Sequence, residues 1–122
     1  MSEIALSAIV LRVADLPAAV EFYRDVLEIP VTSVGPGFAF FELGLGRLAL
    51  NRVDGGDPAA MASTTEVVLE VDDPRGVFDR WREAGIEFAI DLRVVMEQDG
   101  RSLLAAHFRD PDGHLLSLTG WV

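Results

Sequence analysis

The sequence predicts an α+β protein made of two similar modules, each with the element order β-α-β-β-β. An apolar run rich in Ile and Val ends at Asp15, and a helical pattern of apolar residues follows it. The same pattern returns at Asp73, which is 58 residues further along the chain. Each helical pattern precedes three further strand-like segments. An internal repeat of this kind indicates architecture more strongly than a single motif does.

The first module begins with a strand that runs from Ala8 to a turn at Asp15. Asp15 suits the N-cap of the following helix because its carboxylate accepts amide hydrogens of the first turn. Pro17 lies in that turn, where its missing N–H has no cost, and apolar residues recur at helical spacing over residues 20–27. Extended segments are predicted to begin at Ile29 and to cover residues 38–43 and 47–52.

The second module repeats this order. A strand over residues 66–71 precedes a helix over 74–84, which Gly85 ends in the way typical of a C-cap glycine. The remaining elements are an extended segment over 86–97 bent near Asp91, a hairpin at 99–100, a strand over 102–109, a turn at 110–113 and a strand over 114–119.

We therefore predict one domain over residues 1–122, with modules at 1–52 and 65–122 and a linker over 53–64 that is rich in small residues. One helix covers only one face of a four-stranded sheet. The other face of each module must meet the other module, a second chain or a ligand, so this arrangement predicts a pocket.

Composition excludes several classes of partner. The net charge is −10, and an acidic chain repels phosphate backbones, so we expect no nucleic-acid binding. No apolar run reaches the length of a membrane span, and the start of the chain does not resemble a signal peptide. Without Cys there is no disulfide framework and no thiolate metal site. We expect a cytoplasmic protein without a membrane partner.

Four segments carry a resemblance to a known family. They are Leu-Arg-Val-Ala-Asp at 11–15, Phe-Tyr-Arg-Asp-Val-Leu at 22–27, Leu-Glu-Val-Asp-Asp at 69–73 and Phe-Arg-Asp-Pro-Asp-Gly at 108–113. With them the chain resembles the vicinal oxygen chelate superfamily, also called the glyoxalase/bleomycin resistance/dioxygenase superfamily. The resemblance implies two βαβββ modules in a half-open barrel-like sheet with a concave ligand cavity, and a homodimer. Glu28 departs from the family's Gly, so we expect the first helix to end differently.

The resemblance also implies a divalent metal held by His, Glu or Gln side chains that face the cavity. The positions that match the family's ligands are Ala8, Ala49, Glu66 and Ser117. Ala has no donor atom and Ser is a weak ligand, so we expect no metal and no cofactor. The alternative ligands are His107, His114, Glu42 and Glu70. We interpret His107 as a surface residue and His114 as closing the turn before it.

We predict a small-molecule site to which no catalytic residue is assigned. Strand alternation places Arg12 on the same face as Ala8, and the resemblance matches Arg12 to a substrate-contacting Arg of glyoxalases. Arg12 either clamps a ligand or pairs with an internal Glu. Aromatic residues either line the cavity, where they stack on flat or cationic ligands, or fill the core. The predicted ligand-binding residues are Ala8, Arg12, Phe38, Phe40, Ala49, Glu66, Glu70, Phe108 and Ser117.

Three functions are compatible with these residues. The first, which we favour, is metal-free binding of a cationic or aromatic small molecule, with antibiotic sequestration as one role, because the bleomycin-resistance branch of the family sequesters a drug. The second is a lyase, isomerase or dioxygenase with displaced metal ligands, or with Glu66 or Glu70 as general base. The third is an interaction or structural role in which side chains or a partner chain fill the concave faces.

Overall fold

The computed structural model describes residues 8–44, 46–53 and 65–122, and these form two compact units on either side of the gap at 54–64. Each unit holds one four-stranded mixed sheet that does not close on itself, together with helical segments. This confirms the predicted α+β class and the two βαβββ modules. The predicted linker lies outside the described residues, apart from Val53. The assignment of residues 1–122 to one domain stays a prediction.

The first unit follows the predicted element order. Its elements are β1 (Ala8–Val13), α1 (Leu16–Glu21), a π-helical turn (Phe22–Val26), β2 (Val31–Val34), β3 (Phe38–Leu43) and β4 (Gly46–Arg52). The strand order across the sheet is β1-β4-β3-β2. β1 runs parallel to β4, and the other pairs are antiparallel.

The start and the end of the first helix have local causes. Asp15 caps α1, because its side chain accepts the Ala18 backbone N–H at 3.1 Å. The helix then widens into the π-helical turn at Phe22–Val26. Glu28 takes φ 60°, which is the left-handed conformation that favours Gly, so the prediction of a different helix end at this residue is wrong. This position therefore keeps the left-handed backbone conformation that Gly would adopt, although it holds Glu.

The second unit repeats the order along the chain. Its elements are β5 (Glu66–Glu70), α2 (Pro74–Glu83), β6 (Ile90–Gln98), β7 (Arg101–Arg109) and β8 (Leu115–Trp121), and the strand order is β5-β8-β7-β6. The register between β6 and β7 shifts between Ile90 and Arg93, where the sequence predicts a bend. Gly85 has φ 107°, which agrees with its predicted role at the helix end.

The turn before β8 is held by Asp110. Its side-chain Oδ1 accepts the backbone N–H of Asp112 at 3.0 Å and that of His114 at 2.8 Å. Asp110 and His114 also bond through their main chains at 3.0 Å. His114 therefore closes this turn with its backbone, as the sequence predicts, and its side chain is buried.

In each unit the core lies between the sheet and its helix. We call this side of each sheet the covered face and the other side the open face. The covered face of the second sheet carries Val67, Leu69, Leu104, Ala106, Phe108, Leu116 and Leu118, all of them buried. Alternation places the intervening residues on the open face, where Val68 is 60% exposed. Within the described residues, neither helix has the length and apolar content to cross a membrane.

Phe108 corrects one prediction from the sequence, because it lies on the covered face and its side chain is 0% exposed. Its ring stands edge-on to Trp81 of α2, with centroids 5.5 Å apart, and contacts Phe88 at 5.4 Å. Alternation along β7 puts Phe108 and His107 on opposite faces, and the apolar helix side chains take Phe108. Phe108 is therefore a core residue rather than a residue of a ligand site on the open face.

Two Phe substitutions test this assignment. Phe108→Ala leaves a cavity in a packed core, so we expect it to lower the free energy of unfolding by about 3–5 kcal/mol. Phe38→Ala is the matched control, because Phe38 is 37% exposed on the open face of the first sheet. We expect it to cost about 1 kcal/mol or less. Urea unfolding measures both, and similar losses for the two variants would contradict the assignment.

Candidate functional site

Four polar side chains cross the open face of the second sheet, one from each strand. Glu66 comes from β5, Ser117 from β8, His107 from β7 and Arg93 from β6, which is the order of the strands in the sheet. His107 lies directly opposite Ser117 in the register, and Arg93 lies opposite Ala105, two residues before His107. Alternation along each strand therefore brings these four side chains to the same face. We call this set the polar chain.

Hydrogen bonds connect the polar chain from end to end. Arg93 Nη2 lies 3.3 Å from His107 Nε2, His107 Nδ1 lies 2.7 Å from Ser117 Oγ, and Ser117 Oγ lies 2.6 Å from Glu66 Oε1. Arg93 Nη1 also donates to the main-chain carbonyl of Ala105 at 2.7 Å, which anchors the guanidinium.

The donor groups fix one direction for the hydrogen bonds along the polar chain. A guanidinium only donates, so the contact with Arg93 assigns the acceptor role to His107 Nε2 and, in a neutral ring, the hydrogen to Nδ1. That hydrogen is donated to Ser117 Oγ, and the hydroxyl hydrogen of Ser117 then points to Glu66. The polar chain ends on a carboxylate, which accepts only. Ser117 is thus a link between two groups and not a nucleophile activated by His107.

Burial differs along the polar chain. Ser117 is 1% exposed although it lies on the open face, His107 is half-buried, and Glu66 is exposed. The short bond to a buried hydroxyl therefore fixes a carboxylate that solvent and ligands can reach. Thr119, the neighbour of Ser117 on the same face, is not part of this chain, because its hydroxyl donates to the Leu69 carbonyl at 2.8 Å.

The residues present do not fit the divalent metal that the resemblance implies. The matching positions carry two Ala side chains without donors, and the hydroxyl of Ser117 is already bonded to Glu66 and His107. Across residues 8–44, 46–53 and 65–122, no group of three His, Cys, Asp or Glu side chains is placed to hold a metal ion. Oxygen and nitrogen ligands must come in larger sets to hold such an ion against water.

The predicted residues of the first unit share one face. Ala49 on β4 pairs with Val10 and Phe40, so its neighbours place it on the open face of that sheet. Phe38 and Phe40 have ring centroids 5.4 Å apart, and the Arg47 guanidinium lies 5.4 Å above the Phe40 ring. Alternation adds Ala8 and Arg12 to this face. The predicted residues on it are Ala8, Arg12, Phe38, Phe40 and Ala49.

In the second unit, the predicted residues Glu66, Glu70 and Ser117 share the open face. Arg93 is not predicted from the sequence, because its strand is irregular and almost all of its residues are exposed, so no alternation marks an inward side. From the sequence, His107 is an alternative metal ligand that we interpret as a surface residue, whereas its side chain is half-buried and bonded to Ser117. Its position opposite Ser117 in the last two strands is the signal that points to its role.

A pair of Ser substitutions tests the buried link. Ser117→Ala leaves His107 Nδ1–H and Glu66 Oε1 without their shared partner, so we expect a loss of about 1–3 kcal/mol in the free energy of unfolding. Ser102→Ala on β7 is the matched control, since its hydroxyl makes only an exposed 3.4 Å contact with Glu97. We expect it to change stability by about 0.5 kcal/mol or less. Equal losses in the free energy of unfolding, measured by chemical denaturation, would show that the Ser117 hydroxyl stabilises the fold no more than an exposed hydroxyl does.

Comparisons with known proteins agree with this fold. The family model of the Glyoxalase/Bleomycin resistance protein/Dioxygenase superfamily matches residues 5–118. A metallothiol transferase FosB of Shouchella clausii (strain KSM-K16) is 32% identical over 110 residues, covering 87% of this chain and 73% of the relative. One from Staphylococcus epidermidis is 28% identical over 114 residues, covering 93% and 81%.

Solved structures give the same result. A glyoxalase/bleomycin resistance protein/dioxygenase from Nocardioides has a TM-score of 0.72 at 26% identity and covers 100% of this chain and 86% of its own. TioX from Micromonospora sp. ML1 has a TM-score of 0.77 at 21% identity, covering 95% and 98%, which shows a shared fold. The protein belongs to the glyoxalase/bleomycin resistance protein/dioxygenase superfamily.

Proposed function

We propose that this protein binds a small molecule without a metal, and that the ligand contacts Glu66 on the open face of the second sheet. The observation that carries the proposal is the polar chain. It uses Glu66 and Ser117, two of the positions that match the family's metal ligands, for hydrogen bonds between side chains. A carboxylate held in this way is preorganised for a ligand, which reduces the cost of ordering the site on binding.

The surroundings of Glu66 favour a ligand that carries a cationic donor group and an apolar part. Ser117 uses one acceptor position of the carboxylate, and the remaining lone pairs accept from a ligand N–H. Val68, two residues along the same face of β5, is 60% exposed and offers apolar contact. The net charge of −10 attracts cations toward the protein. Sequestration of a cationic or aromatic antibiotic is a role that needs only binding and no catalysed reaction.

We also propose that the protein acts as a cytoplasmic homodimer. Its family resemblance supports the dimer, and a sequence without Cys is compatible with a reducing compartment. Analytical ultracentrifugation tests the oligomeric state, and a monomer at micromolar concentration would contradict this part of the proposal.

An enzyme is the second candidate function. Two relatives carry the name metallothiol transferase, so they are enzymes by that name. In this chain the fixed, exposed carboxylate of Glu66 suits a general base, because a base must be held within reach of the proton that it takes. Turnover of a substrate that is lost in Glu66→Gln would favour this candidate over simple binding.

The binding proposal predicts both metal content and charge selectivity. Protein purified without chelator should contain far less than one equivalent of divalent metal per chain. Benzylamine, as a cationic aromatic probe, should shift the backbone amide resonances of residues 66–68 and 117 in protein NMR titrations. Glu66→Gln should weaken this binding by about tenfold or more, because it removes a charge-assisted hydrogen bond.

The control is Glu83→Gln on the exposed surface of α2, which should bind benzylamine like the unmodified protein. One firmly bound ion per chain would contradict metal-free binding. Unchanged resonances around Glu66 at millimolar benzylamine would contradict the proposed site.

A further inference from the structure

We propose that Arg93 is a positioning residue for the ligand site: it favours the tautomer of His107 that keeps Ser117 donating to Glu66, and so holds the Glu66 carboxylate in place for a ligand ammonium. The choice of ligand site rests on the proposed function. The tautomer of His107 does not rest on it, since it follows from contacts within the second unit alone.

The Arg93 side chain is held in place by a main-chain carbonyl. Nη1 donates to the part-buried carbonyl of Ala105 at 2.7 Å, and this bond holds Nη2 at 3.3 Å from His107 Nε2. The guanidinium has no acceptor atom. Nε2 must therefore present its lone pair to Arg93, and the hydrogen of a neutral ring is confined to Nδ1.

The tautomer of His107 determines the direction of the Ser117 hydroxyl. With the hydrogen on Nδ1, the ring donates to Ser117 Oγ, and the hydroxyl is left to donate to Glu66 at 2.6 Å. In the other tautomer, Nε2–H would face the N–H of Arg93. Nδ1 would then take the Ser117 hydrogen, and two oxygen lone pairs would oppose each other at the Glu66 contact. Arg93 at one end of the polar chain and the acceptor-only carboxylate of Glu66 at the other therefore favour the same arrangement of the buried hydroxyl.

The direction of the Ser117 hydroxyl determines how Glu66 meets a ligand. In the arrangement that Arg93 fixes, Ser117 supports Glu66 as a carboxylate whose remaining lone pairs only accept. A ligand ammonium is matched to these lone pairs, whereas a ligand carboxylate meets like charge. If the hydroxyl turned toward His107, Glu66 would lose its buried donor and its fixed position. Loss of Arg93 should then weaken the binding of a ligand ammonium without removing the carboxylate itself.

The tautomer is measured directly by ¹⁵N NMR of the imidazole rings at a pH where both His residues are neutral. The two nitrogens of a neutral ring give separate signals, and His107→Gln assigns them. We expect His107 to carry its hydrogen on Nδ1 in the unmodified protein. Arg93→Met, which keeps the side-chain bulk without a donor, should raise the share of the other tautomer, and Arg93→Lys should restore the first.

The signals of His114 report that each variant is folded, because this ring is buried in a turn remote from Arg93 along the chain. A hydrogen on Nε2 of His107 in the unmodified protein would overturn the inference. An unchanged tautomer in Arg93→Met would also overturn the inference.

Selectivity is measured with benzylamine and benzoate, which have similar shape and opposite charge. The unmodified protein should prefer benzylamine. Arg93→Met should weaken benzylamine binding by about 2- to 10-fold, the effect of one hydrogen bond, although the loss of a positive charge would by itself strengthen this binding. Unchanged or tighter benzylamine binding in Arg93→Met would refute the positioning role. A protein that binds neither probe would overturn the proposed function and that role together, while the ¹⁵N result still decides the part played by Arg93 in setting the tautomer.

Discussion

The hydroxyl of Ser117 is the contact on which the candidate site depends. It is buried, and it joins Glu66 on one neighbouring strand to His107 on the other. A buried hydroxyl needs partners, and the two that it has here are themselves oriented by it. Arg93 extends the same chain to the edge strand β6. The result is an exposed carboxylate on β5 that is linked through hydrogen bonds to side chains from the other three strands of the sheet.

This arrangement separates the fold of the family from its chemistry. The sheet order and the repeated β-α-β-β-β unit agree with the glyoxalase/bleomycin resistance protein/dioxygenase superfamily. The positions that match the family's metal ligands hold Ala8, Ala49, Glu66 and Ser117, and this set does not suit a divalent ion. Function is carried by the site rather than by the scaffold, so the polar chain is the better guide to what this protein binds.

Most of the fold could be predicted from the sequence because the repeat, the Asp caps and the turn residues are local signals. The site was only partly predictable. Alternation shows that His107 and Phe108 lie on opposite faces, but the choice between the faces depends on which side the helix covers, and there Trp81 packs against Phe108. Arg93 follows a register shift in an exposed strand, so no sequence period marks its direction.

The most direct measurement is anomalous X-ray diffraction from crystals grown with excess Zn²⁺ or Mn²⁺. We predict no anomalous peak near Glu66 and a Ser117 hydroxyl within hydrogen-bond distance of both its carboxylate and the His107 ring. A divalent ion coordinated by Glu66, with the hydroxyl turned away or acting as a ligand, would contradict the view that the polar chain stands where a metal would be.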